Sequence, residues 1–178
     1  MTVSATPRAL LPLHIRLKRH SDDSASITCT RDDGTVTWQR QAGKLGMVFP
    51  QHDLTHYAVE TVLHYTDGFY GLVADGWNIE DFAVPYPRGQ VPQSARQVEL
   101  IVGCFDTERR TVGRMSVDEF NAHARTYVSS TRFSDVPVRI LSAAELDAVR
   151  GARDALLARW NALPRGDALE LTFQRSSV

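Results

Sequence analysis

The chain has only two lysines, Lys18 and Lys44, and two cysteines, Cys29 and Cys104, in 178 residues. Two cysteines so far apart define neither a disulfide framework nor a paired-cysteine metal or redox motif. Neither stands in a local nucleophile signature, and no Gly-x-Ser-x-Gly elbow occurs. No glycine-rich phosphate loop is present, so no nucleotide cofactor is expected. Repeats and low-complexity tracts are missing as well. No apolar run approaches the ~20 residues of a membrane span. The patch at residues 9–13 is broken by Pro12 and is too short for a secretory core. Free thiols in a reducing cytoplasm are the expected setting. An excess of one charge is also lacking: 20 Lys and Arg against 21 Asp and Glu leave a net charge of −1. Such a balance gives no bulk attraction to nucleic acid or to an anionic membrane. The basic string His14-Ile-Arg-Leu-Lys-Arg-His20 reads as the solvated face of a strand. A small molecule or a peptide is the expected partner.

What is present is ordinary globular material, 43% hydrophobic and 23% charged. The length suits one domain with a real core. Residues 1–12 are expected to be flexible and residues 13–178 to form a single α+β domain. Residues 14–18 alternate apolar and polar. Ile27, Cys29, Val36 and Trp38 alternate around Arg31-Asp-Asp-Gly34, the strongest short hairpin signal. Ile15, Leu17, Ile27, Cys29, Val36 and Trp38 are expected to face the core. Leu169, Leu171 and Phe173 mark a last strand that returns to the same sheet, because its backbone groups need partners. The sheet is therefore small and antiparallel, an N-terminal hairpin plus a C-terminal strand, packed against four or five helices.

Gly43 and Gly46 suggest a loop, followed by a helix over residues 50–66 with Pro50 in its first turn and Gly68 just past its end. Residues 69–74 suggest a short helical turn. Residues 84–92 carry three prolines and read as a rigid loop that could edge a pocket. A helix follows over residues 93–109. Two capping boxes, Ser116-Val-Asp-Glu119 and Ser142-Ala-Ala-Glu145, open two more.

Chemistry concentrates in residues 50–64, which hold three of the six histidines. His52 and His56 are four residues apart, so on a helix their Cβ atoms lie about 5–6 Å apart on one face. Val59 and Leu63 project near them, and a helix apolar almost all round is usually buried. Buried imidazoles and carboxylates must be paired, hydrogen-bonded or metal-bound. His52 and His56 are therefore candidate ligands of a divalent metal, zinc before others. Asp53 is the candidate catalytic base for a metal-bound water; an acid near a helix start also complements the dipole. Glu60 lies about 12 Å along the axis from His52. It suits a supporting role in catalysis, fixing the tautomer of His56 or His64. A third ligand must come from elsewhere, with Asp75, Glu80, Asp81 and His123 as candidates. Trp77 and Phe82 sit on a segment that could cover the histidines. The competing expectation is a non-catalytic binding protein whose histidines form a buried hydrogen-bond network.

His-Asp-x-x-His at residues 52–56 partly resembles the His-Glu-x-x-His helix of zinc proteases, in which both histidines bind zinc and the acid is the general base. Asp53 is one methylene shorter than that acid. The longer string Pro-x-His-Asp-Leu-x-His-x-x-Val-Glu at residues 50–60, then Asp67-Gly-Phe-Tyr-Gly71 and Ala74-Asp-Gly76, resembles a group of uncharacterised bacterial proteins. That resemblance covers about a sixth of the chain. It implies a shared structural unit and no particular reaction.

Overall fold

The computed structural model describes residues 12–111, 113–129 and 134–175, so residues 1–11 of the expected flexible N-terminus lie outside it. Four strands, β1 (Leu13–Arg19), β2 (Ala25–Thr30), β3 (Val36–Gln41) and β4 (Ala168–Phe173), form one antiparallel sheet in the order β3-β2-β1-β4. The helices are α1 (Gly43–Val62), α2 (Phe69–Ala74), α3 (Gln93–Glu108), α4 (Val117–Ser129) and α5 (Ala143–Asn161), with a 3-10 turn at Ile79–Phe82. This is the expected α+β arrangement, with the C-terminal strand returned to the N-terminal sheet. No helix among the described residues is long and apolar enough to cross a membrane.

The hairpin forms where Asp-Gly placed it, but β3 faces the other way. Arg31 N–H donates to the Thr35 carbonyl, and Gly34, at φ +81°, donates to the Arg31 carbonyl, both at 2.9 Å. That closure opposes Cys29 with Thr37 and Ile27 with Gln39. Opposed residues share a face, and one residue of shift exchanges the faces. Thr37 is therefore 4% exposed beside Cys29, while Val36 and Trp38 are 50% and 63% exposed, contrary to the core positions expected for them. The alternating pattern of β3 was satisfied by either face; the loop length chose.

The histidine helix also begins earlier than its proline suggested. Gly43 and Gly46 are its first turns, not a loop, and Pro50 lies inside it. Gly46 is needed because a Cβ there would fall 2.6 Å from the Gln41 carbonyl oxygen, so the helix start packs directly on the end of β3. Pro50 removes one helical hydrogen bond, but it is buried, and packing overrides propensity. At the other end the helix stops at Val62 rather than at residue 66. His64 takes φ +57°, and Tyr65 N–H donates to the Glu60 carbonyl at 2.9 Å. His64 thus closes the helix in the left-handed position expected of Gly68, and it leaves the face shared by His52 and His56.

α1 contacts α3, α5, α2 and strands β2 and β3. From Asp53 to Glu60 only Tyr57 escapes full burial, which makes α1 the centre of the domain. On the far side of α3, Glu108 holds Arg150 of α5 in a buried ion pair. Arg150 also donates to the Met115 carbonyl at 2.6 Å, and Met115 N–H donates back to Glu108 at 3.0 Å.

Both capping boxes form. At α5, Ser142 N–H donates to Glu145 at 2.9 Å, Glu145 N–H donates to Ser142 Oγ at 3.2 Å, and Arg139 pairs with the same carboxylate at 2.8 Å. The Ser142 amide and hydroxyl and Arg139 draw the Glu145 carboxyl down from 4.5 to about 2. A depressed acid stabilises the fold above its unfolded value and loses that contribution as pH falls towards its folded value. Glu145→Gln keeps an acceptor for the capping box and loses an exposed charge, so it is expected to cost less than about 1 kcal/mol at pH 7. It should also flatten the loss of stability between pH 4.5 and 2, as read from urea unfolding across that range.

Candidate metal centre

α1 and α3 lie side by side, and between them three side chains converge. His52 Nε2 and His56 Nε2 are 3.2 Å apart. Glu99 of α3 places Oε2 2.9 Å from His56 Nε2 and 3.6 Å from His52 Nε2. Among the described residues, these three form the one group able to hold a metal ion. The three separations average about 3.2 Å, against a tetrahedral edge of roughly 3.3 Å for bonds of 2.0–2.1 Å to zinc. Two neutral nitrogens, one anionic oxygen and a side left to the cavity form a donor set that suits such an ion.

Each imidazole has a carboxylate behind it. His52 Nδ1 lies 2.8 Å from Asp106 Oδ2, and Arg109 stands 3.5 Å from the other Asp106 oxygen. His56 Nδ1 is 3.6 Å from Glu60 Oε1, just beyond hydrogen-bond length, and has no other partner. Glu60 has a second task. Its oxygens accept from the Tyr70 amide at 3.1 and 3.2 Å and from the Gly71 amide at 3.3 Å, so it caps the start of α2. A Cβ at residue 68 would fall 2.5 Å from the Glu60 carboxyl carbon, so only glycine admits the acid. The acid of the His-Asp-x-x-His helix and the Gly-Phe-Tyr-Gly turn are thus one packed unit. At Gly71 a Cβ would fall 2.1 Å from the Thr66 carbonyl oxygen, so glycine admits that backbone there.

Burial presses both imidazoles towards neutrality, and the carboxylates more than reverse it. His52 is raised to about 10 by Asp106 and Glu99, and His56 to about 8 by Glu60 and Glu99. Burial opposes ionisation of Glu99, but the two imidazoles hold its carboxyl well below the usual range. Asp53 is pushed by burial up to about 6 against the pull of His52 and His56. Its Oδ2 is buried and has no protein partner, and the residue lines a cavity.

That cavity measures about 450 Å³ and also carries His52, His56 and Glu99 on its wall. Phe49, Phe69, Ile79, Phe82 and Tyr86 supply its apolar side. The segment after α2 and the proline-rich loop therefore do border the histidines. Phe82 is held by Phe69, at 4.9 Å between ring centroids, and by Trp77, at 5.3 Å. Buried Arg31 fixes this segment from the hairpin. It donates to the Val73 carbonyl at 2.7 Å, to Asn78 Oδ1 at 3.1 Å and to the Trp77 carbonyl.

None of the four expected third ligands joins the histidines. Asp75 pairs with Arg175 at 2.6 Å. Asp81 accepts from the Asn78 amide at 2.7 Å and pairs with Arg88. Glu80 is exposed, and His123 stacks on Tyr127 of α4. Glu99 takes their place, 43 residues from His56. A signal for it existed. Glu99 and Asp106 are seven residues apart, two helical turns, and so share one face of α3. Comparison with known protein families, with curated proteins and with solved structures returns no match.

Proposed function

We propose that the protein binds a divalent metal, zinc before others, at His52, His56 and Glu99, and that the site serves a hydrolytic reaction. The observation that carries this reading is the convergence of three ligand atoms at 2.9, 3.2 and 3.6 Å beside a cavity. A bound divalent ion would supply Lewis acidity at that point. Asp53, which lines the cavity and whose carboxyl burial raises to about 6, is suited to take a proton from water and return it. Asp106 holds the His52 ring with Nε2 turned towards the shared point, and Glu60 sets its charge 3.6 Å behind His56 Nδ1.

A second reading has its own support. His52 with Asp106 at 2.8 Å and His56 with Glu99 at 2.9 Å could satisfy one another as a buried network. Against it stands the 3.2 Å approach of the two Nε2 atoms, which cannot both carry a proton in comfort. The deciding measurement is elemental analysis of untagged protein beside Glu99→Gln and His52→Ala/His56→Ala. Near-stoichiometric zinc, iron or manganese, lost in the variants, supports the metal site. No metal in any form, with a melting temperature indifferent to chelator, leaves the network reading.

A further inference from the structure

Four aromatic residues line the cavity from separate places in the chain: Phe49 on α1, Phe69 at the start of α2, Phe82 in the 3-10 turn and Tyr86 in the proline-rich loop. None of them is fully buried. Phe49, Phe69 and Phe82 also pack on the hydrophobic core, which accounts for their place; Tyr86 does not. Tyr86 moreover stands at φ +56°, in the left-handed region where a bulky residue is a genuine outlier. Such a residue persists only where its surroundings fix it, and such residues gather at ligand sites. Here the loop fixes it. Tyr86 N–H donates to the Ala83 carbonyl at 2.7 Å, and Gly89 N–H donates to the Tyr86 carbonyl at 2.8 Å. Arg88 ties the same loop to buried Asp81 at 2.9 Å. The fold thus holds a strained aromatic residue on the cavity wall, where core packing gives no reason for it.

The charges on the wall define what the cavity admits. They are Asp53, Glu99, His52, His56 and Arg96. Asp135 takes both terminal nitrogens of Arg96, at 2.9 and 2.7 Å. The imidazoles are already set against Asp106, Glu60 and Glu99. Among the described residues the wall therefore offers an anionic ligand no cation without a counter-charge. At about 450 Å³ the cavity falls within the size range of small-molecule sites, roughly 300–1,000 Å³. We propose that it binds an uncharged small molecule with a flat apolar body, and that Tyr86 is the residue that selects it. The four aromatic residues cover that body. As the substrate of a hydrolytic reaction this molecule rests on the reading above; as a ligand it rests on the wall alone.

The test is a fluorescence titration at neutral pH with methyl 2-naphthoate and, separately, 2-naphthoate, on chelator-treated and on metal-replete protein. In the chelated protein the ester is expected to bind about 10-fold tighter than the acid, whose charge finds no partner. The comparison is made there because a carboxylate can reach a bound ion. Tyr86→Asn places a residue at ease in the left-handed region and removes the ring. It is expected to weaken the ester about 10-fold, with the melting temperature level or raised. Tyr86→Phe keeps the ring and should retain the ester within about 2-fold. An ester that binds chelated protein no tighter than the acid overturns the proposal, as does an ester affinity unchanged in Tyr86→Asn or lost in Tyr86→Phe. A melting temperature lowered by more than about 3 °C in Tyr86→Asn makes Tyr86 a structural residue and also overturns it. Ester binding confined to the metal-replete form overturns it and leaves the metal site standing. Ester binding that persists in a protein shown to take up no metal upholds this recognition and removes the metal reading instead.

Discussion

Glu99→Gln is expected to weaken metal binding more than 100-fold, measured by competition with a chromophoric chelator. Loss of an anionic ligand should exceed the 10–100-fold typical of an outer partner, which is the range expected for Asp106→Asn. The glutamine is isosteric, so the melting temperature of the chelated protein should stay within a few degrees. The pH dependence carries a definite sign. The neighbouring carboxylates raise His52 to about 10 and His56 to about 8, so at pH 7 an ion competes with protons for the pair. Affinity should therefore rise from pH 7 through 8 to about 10, with proton release visible in calorimetry across buffers of different ionisation enthalpy. The metal-free fold behaves in the opposite sense. Both imidazoles are raised above 6.5, so their contribution is complete below that value and is lost as pH climbs through 8 and then 10. Chelated protein should lose stability over that window, while loaded protein should not.

The second large effect lies away from the cavity. Glu108→Ala is expected to cost about 3–5 kcal/mol, because it leaves the Arg150 cation buried without its partner. Arg150 and Glu108 side chains are 6% and 3% exposed, and Arg153 stands 3.8 Å from the same carboxylate, so two cations lose their one buried counter-charge and keep only the more exposed Asp147 and Asp154. Urea unfolding should read the loss directly, and melting should fall by roughly 10 °C, given about 2–4 °C per kcal/mol for a chain of this size. Replacing both partners by apolar residues of similar volume, as in Glu108→Leu/Arg150→Met, should recover most of the loss. A single variant as stable as the parent would mean that water reaches the pair.

Local signals carried most of the architecture. The Asp-Gly turn, both capping boxes and the alternation of Leu169, Leu171 and Phe173 each depend on near neighbours, and each formed. Failures occurred where a neighbour in sequence was not the neighbour in space. Val36 and Trp38 face outward because one closure hydrogen bond fixes the register, which alternation alone does not encode. Pro50 marked a helix start, yet Gly46 packed on the end of β3 and extended the helix before it. At the site, His52 and His56 stand together because helical spacing alone brings them together. Glu99 required knowing that α3 lies alongside α1. His64 left the group when its own left-handed backbone ended the helix.

Glu60 is one charge with two dependants, the amides that open α2 and the inner edge of the His56 ring. Neither can drift alone. A side chain at residue 68 would evict the acid, and losing the acid would free the turn and leave His56 with Glu99 as its one carboxylate. In related chains the glycine and the glutamate should be retained or abandoned as a pair. The amide proton signals of Tyr70 and Gly71 should likewise report on events at His56 that they never touch.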